Sequence, residues 1–518
     1  SKNISDIRIN VIPQELNEIL NGTKSQKTDD LKKDVIIIFN KEHDNMFNES
    51  KINEINEEID QKNSNAKKIK EEIKKYKNDL KFREENDLEI NFEMQIDNSE
   101  INLSKELDKL KNEKIKNEDD VSKNKMNEIF LFEAFSGIGS QYQALKNISS
   151  KKCWKIRPVG IIEWYIDAII AYIAIHYNDI IKNEKNDLPK YISLSKNSKD
   201  KISQKVFEKL SNTSHSYYIK KSEEICNNLF DINITKGNDI PKNIDIFTYS
   251  FPCQDLSIQG KQRGMEDRDN TRSGLLWQIK RIFWEMKKTI KNEEMPKYLL
   301  LENVKNIIGP KHISNFEKWI KELESLGYVT KKYVLNSAHY GSPQNRERVF
   351  CISVRKDYQK KVAFEFPYFN EPHQNIKMNS ILKKNVDKKF YKSKLEKYKR
   401  SPWSETKRNI RKTTLLNYTT FHSESYIYDP EWSGPTLTAS GANSRIKILT
   451  NNSRIRFMTP LETYLYMGFS KNDYLNVKKT KLLGDNKITY TAGNSISIEI
   501  LEAIFNTFKF ENNNHENY

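Results

Sequence analysis

The sequence predicts an α/β protein built on a Rossmann-like sheet, and three observations carry that expectation. First, the apolar run Ile129-Phe130-Leu131-Phe132-Glu133 enters Ala134-Phe135-Ser136-Gly137-Ile138-Gly139-Ser140 and then a helical segment at 141–146. Strand, glycine turn and helix in that order open the first βα unit of a nucleotide-binding sheet. Second, short apolar runs at 159–162, 244–249 and 298–301 lead to residues able to do chemistry, Glu163, Cys253 and Glu302. Strand exits of open α/β sheets are where ligands collect. Third, residues 1–126 mix alternating and helical spacings, and read as a separate N-terminal α+β module containing a long helix.

A chain of 518 residues exceeds what one core organises, so two or three domains are expected. The formal net charge is +16, but it is unevenly placed. Residues 1–126 carry 24 Lys+Arg against 29 Asp+Glu, and the remainder 63 against 42. General lysine richness would not make one part acidic, so the C-terminal part is expected to meet a polyanion, with nucleic acid favoured. Cys153, Cys226, Cys253 and Cys351 are widely spaced, with no CxxC pair. That excludes a disulfide scaffold and any obvious zinc motif, so no metal site is expected, and a reducing, cytoplasmic setting fits. No signal peptide is read. The most apolar segment, 166–175, contains Asp167 and is too short to span a bilayer.

Within 1–126, candidate strands near 7–11 and 35–39 flank a short helix at 14–20. Ile52, Ile55, Ile59, Ala66, Ile69, Ile73, Tyr76 and Leu80 then keep a 3-4 spacing that Lys62 breaks once. About four heptads is the minimum for a coiled coil, and a helical hairpin gives the same pattern. Leu88, Ile90, Phe92, Met94 and Ile96 alternate as in a half-buried strand, and Leu103, Leu107 and Leu110 return to helical spacing. Nothing there ties to chemistry.

Beyond Met126 the sheet begins. Glu163 stands 26 residues after Gly137, where a ribose-binding carboxylate belongs. Trp164 would stack on an adenine face or cap the following helix as a half-buried aromatic. Residues 178–224 are a polar, lysine-rich excursion. Asp231, followed by Ile232, precedes the next strand and would reach an adenine amino group. Cys253, alone, reads as a small buried hydrophobe. The stretch 254–272, with Gly260 and Gly264, is a plausible mobile lid. A helix is expected at 274–288 and strands at 331–335 and 349–354. Arg346 and Arg348 share a face if that segment is extended.

Together these residues resemble the cytosine-5 DNA methyltransferase family. The matching motifs are Phe135-Ser136-Gly137-Ile138-Gly139, Pro252-Cys253-Gln254, Glu302-Asn303-Val304, Gln344-Asn345-Arg346-Glu347-Arg348 and Ala492-Gly493-Asn494-Ser495. They occur in the family's order between about 129 and 510. The likeness is greatest to bacterial enzymes that methylate C in CG, through 249–257 and 434–448.

The resemblance implies an S-adenosyl-L-methionine-dependent DNA (cytosine-5)-methyltransferase of the bacterial cytoplasm or nucleoid, acting on double-stranded DNA. It implies a catalytic domain at 127–356, a smaller target-recognition domain at 357–450, and a return to the catalytic domain at 451–518, completed by a helix at 496–508. Cys253 would be the nucleophile toward cytosine C6. Glu302 would hold N3 and the amino group, and Arg346 and Arg348 would offset charge near O2. Phe135, Gly137, Gly139, Glu163, Trp164, Asp231, Ile232, Pro252, Asn494 and Ser495 would form the cofactor site. The target base must leave the duplex. Gln259 would enter the vacated space, with Ser423 opposite it. Lys407 and Arg408, in a basic stretch interleaved with Tyr398 and Trp403, would contact phosphates, and Arg445 a guanine edge. Self-association or docking through 1–126, and a cognate restriction endonuclease, are further partners to consider. Two alternatives stay open: an RNA cytosine-5 methyltransferase on the same core, and a catalytically vestigial DNA-binding protein. The basic segment between Arg348 and Thr436 favours DNA, and intact Cys253, Glu302 and Arg346 favour catalysis.

Overall fold

The computed structural model describes residues 126–188, 190–252 and 274–511. The expectations for the N-terminal module, for Cys253 and Gln259, and for the lid stretch lie outside the described residues.

Six strands form the main sheet, in the order β2-β1-β3-β4-β6-β5. They are β1 (Asn127–Ala134), β2 (Trp154–Ile162), β3 (Ile246–Tyr249), β4 (Tyr298–Val304), β5 (Tyr328–Asn336) and β6 (Glu347–Arg355). The first four are mutually parallel, while β6 runs antiparallel to both β4 and β5. β2 begins earlier than its apolar run suggested. It contains Pro158 and meets β1 across a register shift, with Leu131 opposite Pro158 and Phe132 opposite Gly160. Proline lacks an N–H donor and is tolerated here because β2 is an edge strand with a bulge.

Alternate residues along each strand enter different cores. Leu131, Ile246, Leu300, Phe350 and Ile352 face one side, and Phe132, Phe247, Tyr249, Leu301 and Cys351 the other. The first side is covered by α1 (Ser140–Lys152) and α2 (Ile166–His176). Ile166, Ala168–Ile175 are all buried on α2, as expected of a helix apolar all round. After the polar excursion, which contributes α3 (Gln204–Ser211) and α4 (His215–Cys226), the second side is covered by α5 (Leu275–Thr289) and α6 (Ile313–Ser325). Both are amphipathic, burying Leu276, Ile279, Phe283 and Met286 on α5 and Phe316, Trp319 and Leu323 on α6.

After β6 and the short helix α7 (Lys356–Lys361), the chain builds a second sheet in the order β11-β10-β9-β8-β7. Its strands are β7 (Ser404–Glu405), β8 (Arg411–Thr414), β9 (Tyr426–Tyr428), β10 (Lys447–Leu449) and β11 (Ile455–Phe457). Leu395, Leu415, Ile427 and Ile455 form its small core. The chain then returns through α8 (Pro460–Tyr466), α9 (Lys471–Lys479), α10 (Asp485–Asn494) and α11 (Ile498–Phe505). The return is anchored at once. Arg456 on β11 donates to both carboxylate oxygens of Glu462 on α8, each at 2.8 Å, and Glu462 also closes a capping box with Thr459. The last helix, α11, packs on α1. Among the described residues, no helix is long and apolar enough to cross a membrane.

Candidate active site

β1 has β2 on one side and β3 on the other, so the strand order reverses there and a crevice opens beyond the carboxyl ends of the strands. A cleft of about 1140 Å³ occupies this place.

Its first half is built by the exits of β1 and β2. Phe135 holds φ +58, a left-handed conformation costly for a bulky side chain, and its N–H bonds the Ile162 carbonyl at 2.8 Å. Gly137 follows at φ +55, and a Cβ built there would meet nothing within 4 Å. The half-buried Glu163 fixes this turn. Its Oε2 accepts from the Gly137 N–H at 2.9 Å and its Oε1 from the Tyr165 N–H at 2.8 Å. Burial pushes its carboxyl up to about 7, against the pull of these donors. Trp164, Asp231 and Ile232 line the same half. Asp231 is engaged locally: Oδ2 accepts from the Ser193 hydroxyl at 2.6 Å and Oδ1 from Asn233 at 2.9 Å. Gly139 is not part of the lining. A Cβ there would collide with His176 and Tyr172, so this glycine serves close packing at the start of α1 rather than the cleft.

The second half lies at the exits of β3 and β4. β6 runs against β4, pairing Glu302 with Phe350 and Val304 with Arg348. Directly opposite residues share a face, as do residues two apart, so Glu302 and Arg348 meet on a diagonal. The Arg348 Nε lies 3.3 Å from Glu302 Oε1, with the side chains 15% and 11% exposed. Burial raises the Glu302 carboxyl above its ordinary range, while Arg348 and then Arg346 pull it back. Asn303 reaches across to β3, donating from Nδ2 to the Phe251 carbonyl at 3.2 Å. Pro252 lines the cleft at the last described position before Cys253.

Arg346 lines the cleft and also ties its walls together. Its buried guanidinium bonds backbone carbonyls of distant segments: Leu437 at 2.7 Å from Nη1, and Ser495 at 2.9 Å and Gly493 at 3.3 Å from Nη2. It therefore holds the wall of the cleft together while lining it, and its charge reaches Glu302. The neighbouring Gln344 joins the same walls, accepting from the Leu437 N–H at 2.8 Å and donating to the Tyr466 carbonyl at 3.1 Å. Asn494 and Ser495 both line the cleft; Asn494 is exposed, and the more buried Ser495 gives its hydroxyl to the Ala492 carbonyl at 2.6 Å.

Of the residues expected to touch nucleic acid, Arg408 lines the cleft and pairs with Glu347 at 3.0 Å. Lys407 and Ser423 are exposed but outside the lining. Arg445 is also outside it and is held by Glu424 at 3.0 Å. Sequence reasoning gave Asn303, Gln344 and Glu347 no role of their own. Their motif positions were visible, but their partners lie far off along the chain, from Lys305 for Glu347 to Tyr466, 122 positions away, for Gln344.

Residues 198–509 match the model of the family described as C-5 cytosine-specific DNA methylase. The chain is 42% identical over 391 residues to the orphan methyltransferase M.SssI of Spiroplasma monobiae, covering 74% of this chain and 97% of that protein. It is 34% identical over 392 residues to the type II methyltransferase M2.ScrFI of Lactococcus lactis subsp. cremoris, covering 72% and 97%. Among solved structures, the Entamoeba histolytica methyltransferase EhMeth gives a TM-score of 0.46 at 15% identity, over 74% of this chain and 98% of that one.

Proposed function

From the C-5 cytosine-specific DNA methylase family, to which this chain belongs, we propose that it methylates the cytosine of CG in duplex DNA, on a base turned out of the helix and held covalently. The enzyme is a DNA (cytosine-5)-methyltransferase, and S-adenosyl-L-methionine supplies the methyl group. The first half of the cleft fits that cofactor. Open space lies over Gly137, and Gly137 lines the cleft with Phe135, Glu163 and Trp164. These residues would hold the nucleoside, with Asp231 and Ile232 at the base edge and Asn494 toward the other end.

The observation that carries the reading is the tie between β3 and β4. Asn303 bonds the carbonyl of Phe251, so the chain as far as Phe251 is tied to the strand that carries Glu302 of the buried Glu302–Arg348 pair. Cytosine C5 is a poor nucleophile. In this reading the Cys253 thiolate adds to C6, and the pair of electrons displaced makes C5 enamine-like. Glu302, whose carboxyl burial raises above its ordinary range, places a proton at N3. Arg348 holds the Glu302 carboxyl in position. After methylation, loss of the C5 proton to water, expulsion of the thiolate and return of the N3 proton to Glu302 restore the aromatic ring. Gln259 and Ser423 are assigned to the gap left in the duplex, Lys407 to a phosphate and Arg445 to a guanine edge. The target CG rests on the likeness through 434–448.

Cys253→Ala is expected to abolish incorporation of tritiated methyl groups into CG-containing duplex DNA. Undiminished incorporation by that variant overturns the covalent mechanism. Bisulfite sequencing of treated, initially unmethylated plasmid reads the target directly, and conversion-resistant cytosines outside CG overturn that part of the proposal. Greater activity on transfer RNA than on DNA overturns the choice of substrate.

A further inference from the structure

The mouth of the cleft holds a charge arrangement that the reaction just described does not use. Lys305 follows β4 three residues after Glu302, Glu347 opens β6 beside Arg348, and Arg408 sits in the turn between β7 and β8 of the second sheet. All three line the cleft. The Lys305 ammonium lies 2.7 Å from Glu347 Oε1, and the Arg408 guanidinium 3.0 Å from Glu347 Oε2. One carboxylate thus gathers two cations that come from different sheets, and one positive charge is left in excess. Exposure rises outward through the site. The Glu302 and Arg348 side chains are 11% and 15% exposed, against 58% for Lys305 and 52% for Arg408. The first pair is a floor and the second a rim.

An ammonium carries three donor hydrogens and a guanidinium five, so giving one to Glu347 does not exhaust either. A nucleotide whose base edge reaches Glu302 must leave its sugar and phosphate at the mouth. The rim offers a multidentate anion what it needs: two converging cations already drawn together, one a point charge and one a planar fork.

We propose that Lys305 and Arg408 form a clamp on a single phosphodiester group of the DNA, beside the base taken into the cleft. The inference rests on the DNA methyltransferase reading and adds a phosphate site to it. An ion pair that merely joined the two sheets would leave DNA binding with its ordinary salt dependence, whereas a phosphate contact contributes to the slope of log K against log salt.

The test measures the affinity of the full chain for a labelled CG duplex by fluorescence anisotropy over a series of salt concentrations. Glu347 cancels one of the two cations, so Lys305→Ala and Arg408→Ala each remove the one excess charge and are each expected to reduce the slope by about 0.9, the value for one neutralised phosphate. Because both cations hold the same phosphate, the double variant is expected to lose about 0.9 as well. Lys288→Ala, on the exposed end of α5, is the control and keeps the wild-type slope. Unchanged thermal midpoints establish that the variants fold. A wild-type slope in either single variant overturns the clamp, and so does a double variant that loses about 1.8, twice the one-phosphate value. Methyl transfer by the wild-type protein in the same buffer separates the two readings: with transfer intact, a failed slope test overturns the clamp alone.

Discussion

Replacing Arg346 by alanine tests whether this arginine is chiefly a clamp. In the folded chain its guanidinium satisfies carbonyls at Leu437, Gly493 and Ser495, at 2.7, 3.3 and 2.9 Å, and it is 5% exposed. Hydrogen bonds to a charged group contribute roughly 1.5–3 kcal/mol each. Two good bonds and one long one therefore amount to about 3–6 kcal/mol, a large part of the ~5–15 kcal/mol that holds a domain together. At roughly 2 °C per kcal/mol for a large domain, the thermal midpoint should fall by about 6–12 °C. The carbonyls belong to the cleft wall that includes Asn494, so equilibrium binding of radiolabelled S-adenosyl-L-methionine should weaken in the same preparation. Arg346→Lys should recover less than half of either loss, since an ammonium cannot fork between two segments. Calorimetry and equilibrium dialysis measure both quantities. An alanine variant with the wild-type midpoint and wild-type cofactor binding, but no methyl transfer, would refute the clamp and return Arg346 to the base.

Two further outcomes follow from buried charge. Glu133 is fully buried beneath the glycine turn, accepting from the Tyr172 hydroxyl at 2.8 Å, and burial pushes its carboxyl from 4.5 up to about 7. The folded state therefore binds more protons than the unfolded one between those values, and this contribution to stability is lost as pH rises from 4.5 through about 7. In urea unfolding, Glu133→Gln should gain on the wild type by ~3 kcal/mol across that window at ~1.4 kcal/mol per pH unit, then run parallel to it; a pH-independent difference would contradict this assignment. Glu462→Ala should cost about 3–5 kcal/mol, because it strands the buried Arg456 charge; a loss below about 1 kcal/mol, the range of exposed pairs, would show that the pair does not anchor the return of the chain.

The main sheet was legible because its strands are short apolar runs, and because Gly137, Glu163 and Glu302 stand at their exits. What pattern alone could not supply was direction and partnership. The apolar run of β6 looks the same whichever way the strand runs, yet its antiparallel course is what sets Arg348 beside Glu302. Arg346, two residues earlier and similar in sequence, is drawn to carbonyls 91 and 149 positions away, and no local spacing encodes such distances. β2 was read too short because Pro158 interrupts its pattern, and an edge position removes the usual penalty. Gly139 looked like a cofactor glycine because it shares a motif with Gly137, and only the packing of His176 and Tyr172 separates their roles. Asp231 and Arg445 are held by local partners, Asp231 by Ser193 and Asn233 and Arg445 by Glu424.

The antiparallel course of β6 also bears on how this chain can vary over evolutionary time. Glu302 and Arg348 meet only in one register of the β4–β6 ladder, and a slip of a single residue would turn Arg348 to the opposite face of the sheet. Losing or gaining one codon between Ser337 and Arg346 would therefore be far more damaging than the same change in the largely exposed part of the polar excursion, at 182–187, which lies outside that ladder. Length variation should accumulate in that excursion and be purged from the short connection into β6, whatever amino acids either one tolerates.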